Sequence, residues 1–191
     1  MEIQEFKIKV EAVAAALKMS VTFASDEDMR WNKWAHLKGP DNQEIRVENG
    51  DYKTKGRFSF SGCFPRNEKG EYLHYGKSTS ITVAVDTTPE RIAKAIQSRL
   101  LPEYLIELKK AIEQTEASNR YHRTRHDNLK KIADHLGVEL SSWDGGKTDF
   151  IYADIPAIRR IEAYGEDTVK FEVETTPEMA IKIIDLLKSQ G

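Results

Sequence analysis

A single cysteine, Cys63, in 191 residues leaves no internal disulfide framework and suits a reducing compartment. No apolar run reaches the length of a bilayer span, and Met1-Glu2-Ile3-Gln4 lacks the basic start and apolar core of a signal peptide. A cytoplasmic address and no membrane partner are therefore expected. Charge of one sign is missing too. With 29 Lys and Arg against 31 Asp and Glu, the net charge of −2 exerts no overall pull on nucleic acid, so any such binding must come from a local patch. No glycine loop able to cradle phosphates appears, and no cofactor is expected. What remains, 39% hydrophobic and 31% charged residues, describes a chain that folds rather than one that stays disordered.

Only six prolines are present, and two occupy the same context. Val85-Asp86-Thr87-Thr88-Pro89-Glu90 is echoed by Val173-Glu174-Thr175-Thr176-Pro177-Glu178. Each copy follows an alternating apolar run, the period of a half-buried strand, and opens a helical pattern. A threonine N-cap and a proline in the first turn suit a helix start, because the first amides have no partner within the helix. Counted from Thr87 or Thr175, Glu90 or Glu178 also falls at capping-box spacing. Ala180, Ile183, Ile184 and Leu187 then form one helical stripe; Ile92, Ala95 and Ile96 form a weaker one.

A second echo lies upstream. Val10, Val13, Ala14 and Leu17 share the spacing of Leu129, Ile132, Ala133 and Leu136, at an offset of 119 residues. The two prolines are offset by 88, so the first copy carries 31 more residues between its helices. The expected fold is α+β: a helix–antiparallel-meander–helix unit duplicated within the chain, giving two sheets covered by helices. The boundaries are 1–118 for the first repeat and 119–191 for the shorter second. The element order is similar to the duplicated, pseudo-two-fold saddle of the TATA-binding-protein fold. That is a likeness of topology, without a motif of that family. The bland alternative is one mixed domain that reuses a good strand-to-helix junction.

Along the chain, residues 3–9 fit either a short strand or the start of the first helix. Strands are expected near Ser20–Ala24, Glu44–Glu48, Arg57–Phe60, Tyr72–Tyr75 and Thr79–Val85, with Asn49-Gly50 as a tight hairpin turn. Pro102 is expected to break or kink the helix begun at residue 89. Ser118-Asn119-Arg120 reads as a polar linker, Asp127 or Asn128 as the cap of the next helix, and Gly137 as its left-handed end. Asp144-Gly145-Gly146-Lys147 reads as a turn, Val138–Ser141 and 149–153 as strands. Residues 156–163 read as strand in preference to a helical turn opened by Pro156.

The main functional signal lies in residues 52–77. Lys53, Lys55, Arg57, Arg66, Lys69 and Lys77 interleave with Tyr52, Phe58, Phe60, Phe64, Tyr72 and Tyr75, and the segment is locally +4. Cations neutralise phosphates while aromatic faces stack on bases. Lys55-Gly56-Arg57-Phe58-Ser59-Phe60 resembles a fragment of an RNA-recognition signature, though the second glycine position and the partner motif are missing. The competing reading is an edge hairpin with lysines outward and aromatics inward. A second +4 cluster comprises Lys109, Lys110, Arg120, Arg123, Arg125, Lys130 and Lys131 with three acids among them, and a solvated helix face explains it equally well.

Catalytic chemistry is harder to find. His122 and His126 share a helical face, but Arg123 and Arg125 repel a cation and no zinc-protease glutamate accompanies them, so no metal is expected. Ser59, Ser61 and Cys63 have no evident base, which argues against an enzyme. Trp31 and Trp34 read first as packing residues. Residues 55–62 and 88–104, Lys55-Gly56-Arg57-Phe58 and Thr88-Pro89-Glu90-Arg91 among them, resemble segments of uncharacterised small proteins of bacteriophages and mobile elements. That resemblance implies a bacterial or viral setting and brings no catalytic residue. The expected function is non-catalytic binding of DNA or RNA through Lys53, Lys55, Arg57, Phe58, Phe60, Arg66 and Tyr75, with Arg120, Arg123 and Arg125 holding phosphates. The alternative is a protein-interaction module, such as a phage inhibitor of a host defence or regulatory protein, acting through the acidic 26–51 region and its tryptophans.

Overall fold

The computed structural model describes residues 1–50, 56–74, 76, 78–143, 148–151, 158–164 and 167–189. The chain is α+β and divides into two compact units, Met1–Glu116 and Ala117–Gly191. The expected turn at 144–147, Pro156 and residues 152–153 lie outside the described residues.

The first unit opens with α1 (Ile3–Leu17), which settles residues 3–9 as helix. Phe6, Val10, Val13 and Ala14 fall at helical spacing and are its buried face. Lys18 closes the helix at φ 58°, and the Met19 amide reaches back to the Ala14 carbonyl at 2.9 Å. The chain continues as β1 (Ser20–Phe23), a single helical turn α2 (Asp26–Met29) capped by Ser25, then β2 (Trp34–Lys38), β3 (Glu44–Asn49), β4 (Arg57–Gly62) and β5 (Ser80–Ala84). These five strands pair antiparallel in chain order.

Alternation decides which face is which. Val47 opposes Phe60, Phe60 opposes Ile81, and Phe58 opposes Val83, so the apolar positions of neighbouring strands line up on one side. That side is sealed by α1, by α3 (Pro89–Ala95) and by the start of α4 (Leu101–Leu136), with Phe6 stacking on Phe58 at 5.9 Å. Truncating a buried phenylalanine of this kind costs about 3–5 kcal/mol.

Several expectations need correction. Asn49 is still paired with Phe58 inside β3, so the reversal lies beyond Asn49-Gly50. Tyr72 forms only an isolated bridge to Arg66 and no strand. Val138–Leu140 are not strand; β6 begins at Ser141. Pro102 breaks nothing. A π-helical turn over Ile96–Leu100 precedes it, and the Leu101 amide reaches five residues back to Ile96. The wider turn gives the proline ring room, while the Ser98 hydroxyl donates to the Lys94 carbonyl at 2.8 Å. Ser118-Asn119-Arg120 is no linker, and neither Asp127 nor Asn128 is a cap: all lie inside α4, 36 residues long. No glycine or proline occurs between 103 and 136, so nothing stops the helix there. It ends at Gly137, at φ +66°, where the Val138 amide bonds the Ala133 carbonyl.

In the second unit β6 (Ser141–Trp143) pairs with β7 (Thr148–Phe150), and β8 (Ile158–Tyr164) pairs with β9 (Thr168–Val173). Ile151 and Ile161 bridge the two hairpins through paired 3.2 Å bonds. Leu129, Ala133, Ile151, Ile161 and Ala163 form its core. The last helix is α5 (Pro177–Lys188). Its N-cap is Thr176 and that of α3 is Thr88, one position after the threonines counted for a capping box.

Tyr104 of α4 anchors the first unit. Its ring is fully buried, and its hydroxyl donates towards the Cys63 carbonyl at 2.8 Å and the Glu44 carbonyl at 3.0 Å while accepting from the Glu44 amide at 3.0 Å. Gly62 makes the approach possible, since a Cβ there would sit 2.1 Å from the tyrosine ring. Gly62→Ala should therefore cost about 1–3 kcal/mol through overpacking, and Tyr104→Phe about 1–3 kcal/mol through orphaned backbone groups, both read from urea unfolding. Burial pushes the tyrosine from its ordinary 10.0 up to about 12. The folded state thus holds this proton more tightly than the unfolded chain. Its contribution is complete below pH 10 and is lost as pH rises towards about 12. Tyr104→Phe should flatten that alkaline loss.

Candidate nucleic-acid interface

The face of the five-stranded sheet away from the helices is polar. Alternation sends Trp34, His36 and Lys38 of β2 to it, with Arg46 and Glu48 of β3, Arg57, Ser59 and Ser61 of β4, and Thr82 of β5. His36 opposes Arg46, Arg46 opposes Ser61, and Ser59 opposes Thr82. The Arg46 guanidinium lies 5.1 Å from the Trp34 ring centre and 2.6 Å from the Glu48 carboxylate. Trp34 meets His36 edge to face at 5.2 Å. Arg57 is held along the strand, donating from Nε to the Thr82 hydroxyl and from Nη2 to its carbonyl, each at 3.1 Å. Beyond the edge, in the connection from α2 to β2, Trp31 is 93% exposed.

Of the residues expected from sequence, Arg57 alone reaches this face among those described. Phe58 and Phe60 do not: each is 1% exposed, inside the core, with no ring face left for a base. The alternation that made them conspicuous is what turns them inward. Arg66 folds over the Tyr72 ring at 4.1 Å and donates to the Gly70 carbonyl at 3.2 Å, which closes its own loop. Lys53, Lys55 and Tyr75, with Tyr52 and Lys77, lie outside the described residues. Arg120 and Arg123 are exposed on α4, in the second unit, and Arg125 there donates to the Asp149 carbonyl at 3.0 Å. His36 and Arg46 were missed as single candidates, and Trp34 was read only as a packing residue or a protein contact; the signal was present, in the positions that alternate with Ala35, Leu37, Ile45 and Val47.

A corner of the sheet collects reactive groups. His36 Nδ1 lies 2.6 Å from Glu44 Oε1 and 3.9 Å from Cys63 Sγ, beside a cleft of about 490 Å³ lined by Lys38, Gln43, Glu44, Cys63 and Phe64. One ring nitrogen faces both the acid and the thiol, so this is not a relay in which the acid orients a base towards a nucleophile. Burial, and then the Glu44 carboxylate, push the Cys63 thiol up. His126 Nδ1 pairs with Asp149 at 2.8 Å. Among the described residues no group of three or more His, Cys, Asp or Glu is placed to hold a metal ion.

Compared with known proteins, the chain matches no family model, no curated protein and no solved structure. No helix among the described residues is long and apolar enough to cross a membrane.

The raised thiol has a direct readout. Cys63 should react slowly with a disulfide reagent at neutral pH, with a rate profile displaced to higher pH than that of a free thiol. Glu44→Gln should move the profile back down; an unchanged profile in that variant would remove the carboxylate as a cause.

Proposed function

We propose that the protein is a non-catalytic nucleic-acid-binding protein that lays a single strand across the open face of its five-stranded sheet. The observation that carries the reading is the grouping of the Trp34 and His36 rings with the Arg46 and Arg57 guanidinium groups on one polar sheet surface. Ring and guanidinium planes on a sheet surface offer stacking to unpaired bases, while the cations offer phosphate contacts. The acids on the face are paired, Glu44 with His36 and Glu48 with Arg46, so that Arg46 offers chiefly its plane, and the cations of the face without an acidic partner among the described residues are Lys38 and Arg57. The exposed Arg120 and Arg123 are further cations for phosphates. Trp34, His36 and Arg46 thus take the part that sequence assigned to Phe58 and Phe60. A bacterial or phage setting belongs to the same reading and rests on residues 55–62 and 88–104.

Internal duplication is the architectural part of the proposal. Supporting it are the two Thr-Thr-Pro-Glu junctions, each between an edge strand and a helix whose first residue is the proline. Also supporting it is the order helix, antiparallel strands, helix in both units. A saddle like that of the TATA-binding protein is the finer form of this reading.

Trp31, almost wholly exposed beside Asp26-Glu27-Asp28, favours a second reading, a protein-interaction module with that indole as anchor.

Fluorescence anisotropy with labelled single- and double-stranded oligonucleotides separates the two. On the first reading affinity falls steeply between 50 and 200 mM salt, an interval in which several phosphate contacts are expected to weaken binding by roughly 10³-fold or more. Trp34→Ala should cost about 1–3 kcal/mol for the lost stack, and Arg57→Ala should lower the salt slope by about 1. A flat titration for every oligonucleotide at 50 mM salt would end the nucleic-acid reading.

A further inference from the structure

The second unit leaves half of its sheet uncovered. On β8 and β9 the core-facing positions are Ile161 and Ala163, buried under Leu129 and Ala133 of α4, and Val169, Phe171 and Val173 on the neighbouring strand. Val169 is partly covered, but Phe171 is 51% and Val173 40% exposed. The helix that follows is equally bare: α5 has no buried residue, and Met179, Ile181, Ile184, Leu186 and Leu187 are 47–67% exposed. At 100° per residue, these five together with Ala180 and Ile183 spread over more than half of the helix circumference. A helix lying on one surface needs a stripe of only about 100°. This one is written to be buried on two sides.

The first unit shows what belongs there. At the 88-residue offset of the two junctions, Val83 corresponds to Phe171, Val85 to Val173, and Ile92 and Ile96 to Ala180 and Ile184. Val83 is 8% exposed, and Ile92 and Ile96 are fully buried, because α3 and its π-helical continuation lie back over the last strands and α3 packs against α1. The same junction in the second unit delivers a helix with no buried residue.

We infer that α5 is exchanged between two copies of this chain, the α5 of each lying across Phe171 and Val173 of the other. The inference rests on the duplication reading, which identifies a helix of this type as the missing cover. A second copy is the fitting occupant because each chain carries both halves of the contact. A two-fold exchange satisfies both at once and closes without leaving an open end. The area is adequate. Seven of the fourteen exposed large hydrophobics among the described residues fall between Phe171 and Leu187. At about half exposure each, with roughly 200 Å² on a fully exposed large side chain, they present on the order of 700 Å² per copy, within the range of one side of a stable interface. Charge does not oppose the exchange: the remaining arc of α5 carries Glu178, Lys182 and Asp185, and Lys188 lies in the last turn, at the end of the helix.

Light scattering after size exclusion should give twice the 21.8 kDa chain mass, and Ile184→Glu should give the single-chain mass with the circular dichroism of a folded protein. Because that variant can lose more than the contact, disulfide trapping provides the second arm. In a Cys63→Ser background, a mixture of Phe171→Cys and Ile184→Cys chains should form a covalent heterodimer on a non-reducing gel. The double variant should cross-link between chains. A single-chain mass with a disulfide inside one chain would overturn the exchange and leave the duplication standing, α5 then covering its own sheet. A single-chain mass with no cross-link of either kind would overturn both. Phe171 and Ile184 lie in the second unit and form no part of the open face of the five-stranded sheet. With the Cys63→Ser background as the common reference, since the Cys63 sulfur faces His36, the oligonucleotide affinity of the Phe171→Cys and Ile184→Cys variants reports separately on that surface.

Discussion

The buried hydroxyl of Tyr104 is the contact on which the first unit turns. A phenol with three backbone partners in a dry interior has one place to sit, because shifting the helix by a turn would strand the Glu44 amide and the Cys63 carbonyl without water to replace the lost bonds, the Glu44 carbonyl alone keeping a second partner in the Cys63 amide. The anchor fixes α4 against the ends of β3 and β4, and so fixes which face of the sheet is roofed. Gly62 is its complement: the helix comes close because there is no side chain to keep it away. Once one face is closed, the other is left to the polar positions of the same strands.

Consequences reach the polar face directly. Glu44, whose backbone grips the tyrosine, directs its carboxylate to His36, and Cys63, whose carbonyl accepts from the same hydroxyl, presents its sulfur to that imidazole. The position of a titratable cluster at the sheet corner is thereby tied to a packing contact on the opposite side. The thiol there is more protonated than usual, because desolvation and a neighbouring carboxylate both oppose the charged form.

The two units treat one sequence device differently. Threonine, threonine and proline start a helix in both, for the same local reason: a proline has no amide to leave unpaired in the first turn. In the first unit that helix returns to the sheet and buries Ile92 and Ile96. In the second it leaves Ile184 and Leu187 facing solvent. Local start signals choose where a helix begins; only apolar area elsewhere chooses where it lies.

Periodicity determined most of what was legible. The alternation in 44–48, 57–60 and 79–85 marked strands, the stripe from Leu129 to Leu136 marked a helix, and Gly137 marked its end, because these depend on neighbours within a few residues. The same alternation, read to its conclusion, also said that Phe58 and Phe60 face inward while Arg57 and Ser59 face outward; a count of basic and aromatic residues along the chain does not carry that distinction. Pro102 and Ser118-Asn119-Arg120 were misleading because a helix can absorb a proline after a π-helical turn, and polar residues on one side of a helix look like a linker in one dimension. Tertiary structure alone decided that Tyr104 meets Glu44 and Cys63, that Trp34 meets Arg46, and that His36 lies between an acid and a thiol. Those contacts join residues distant in sequence or on different strands, and pairing register and helix docking are settled by the whole apolar surface at once rather than by any stretch of it.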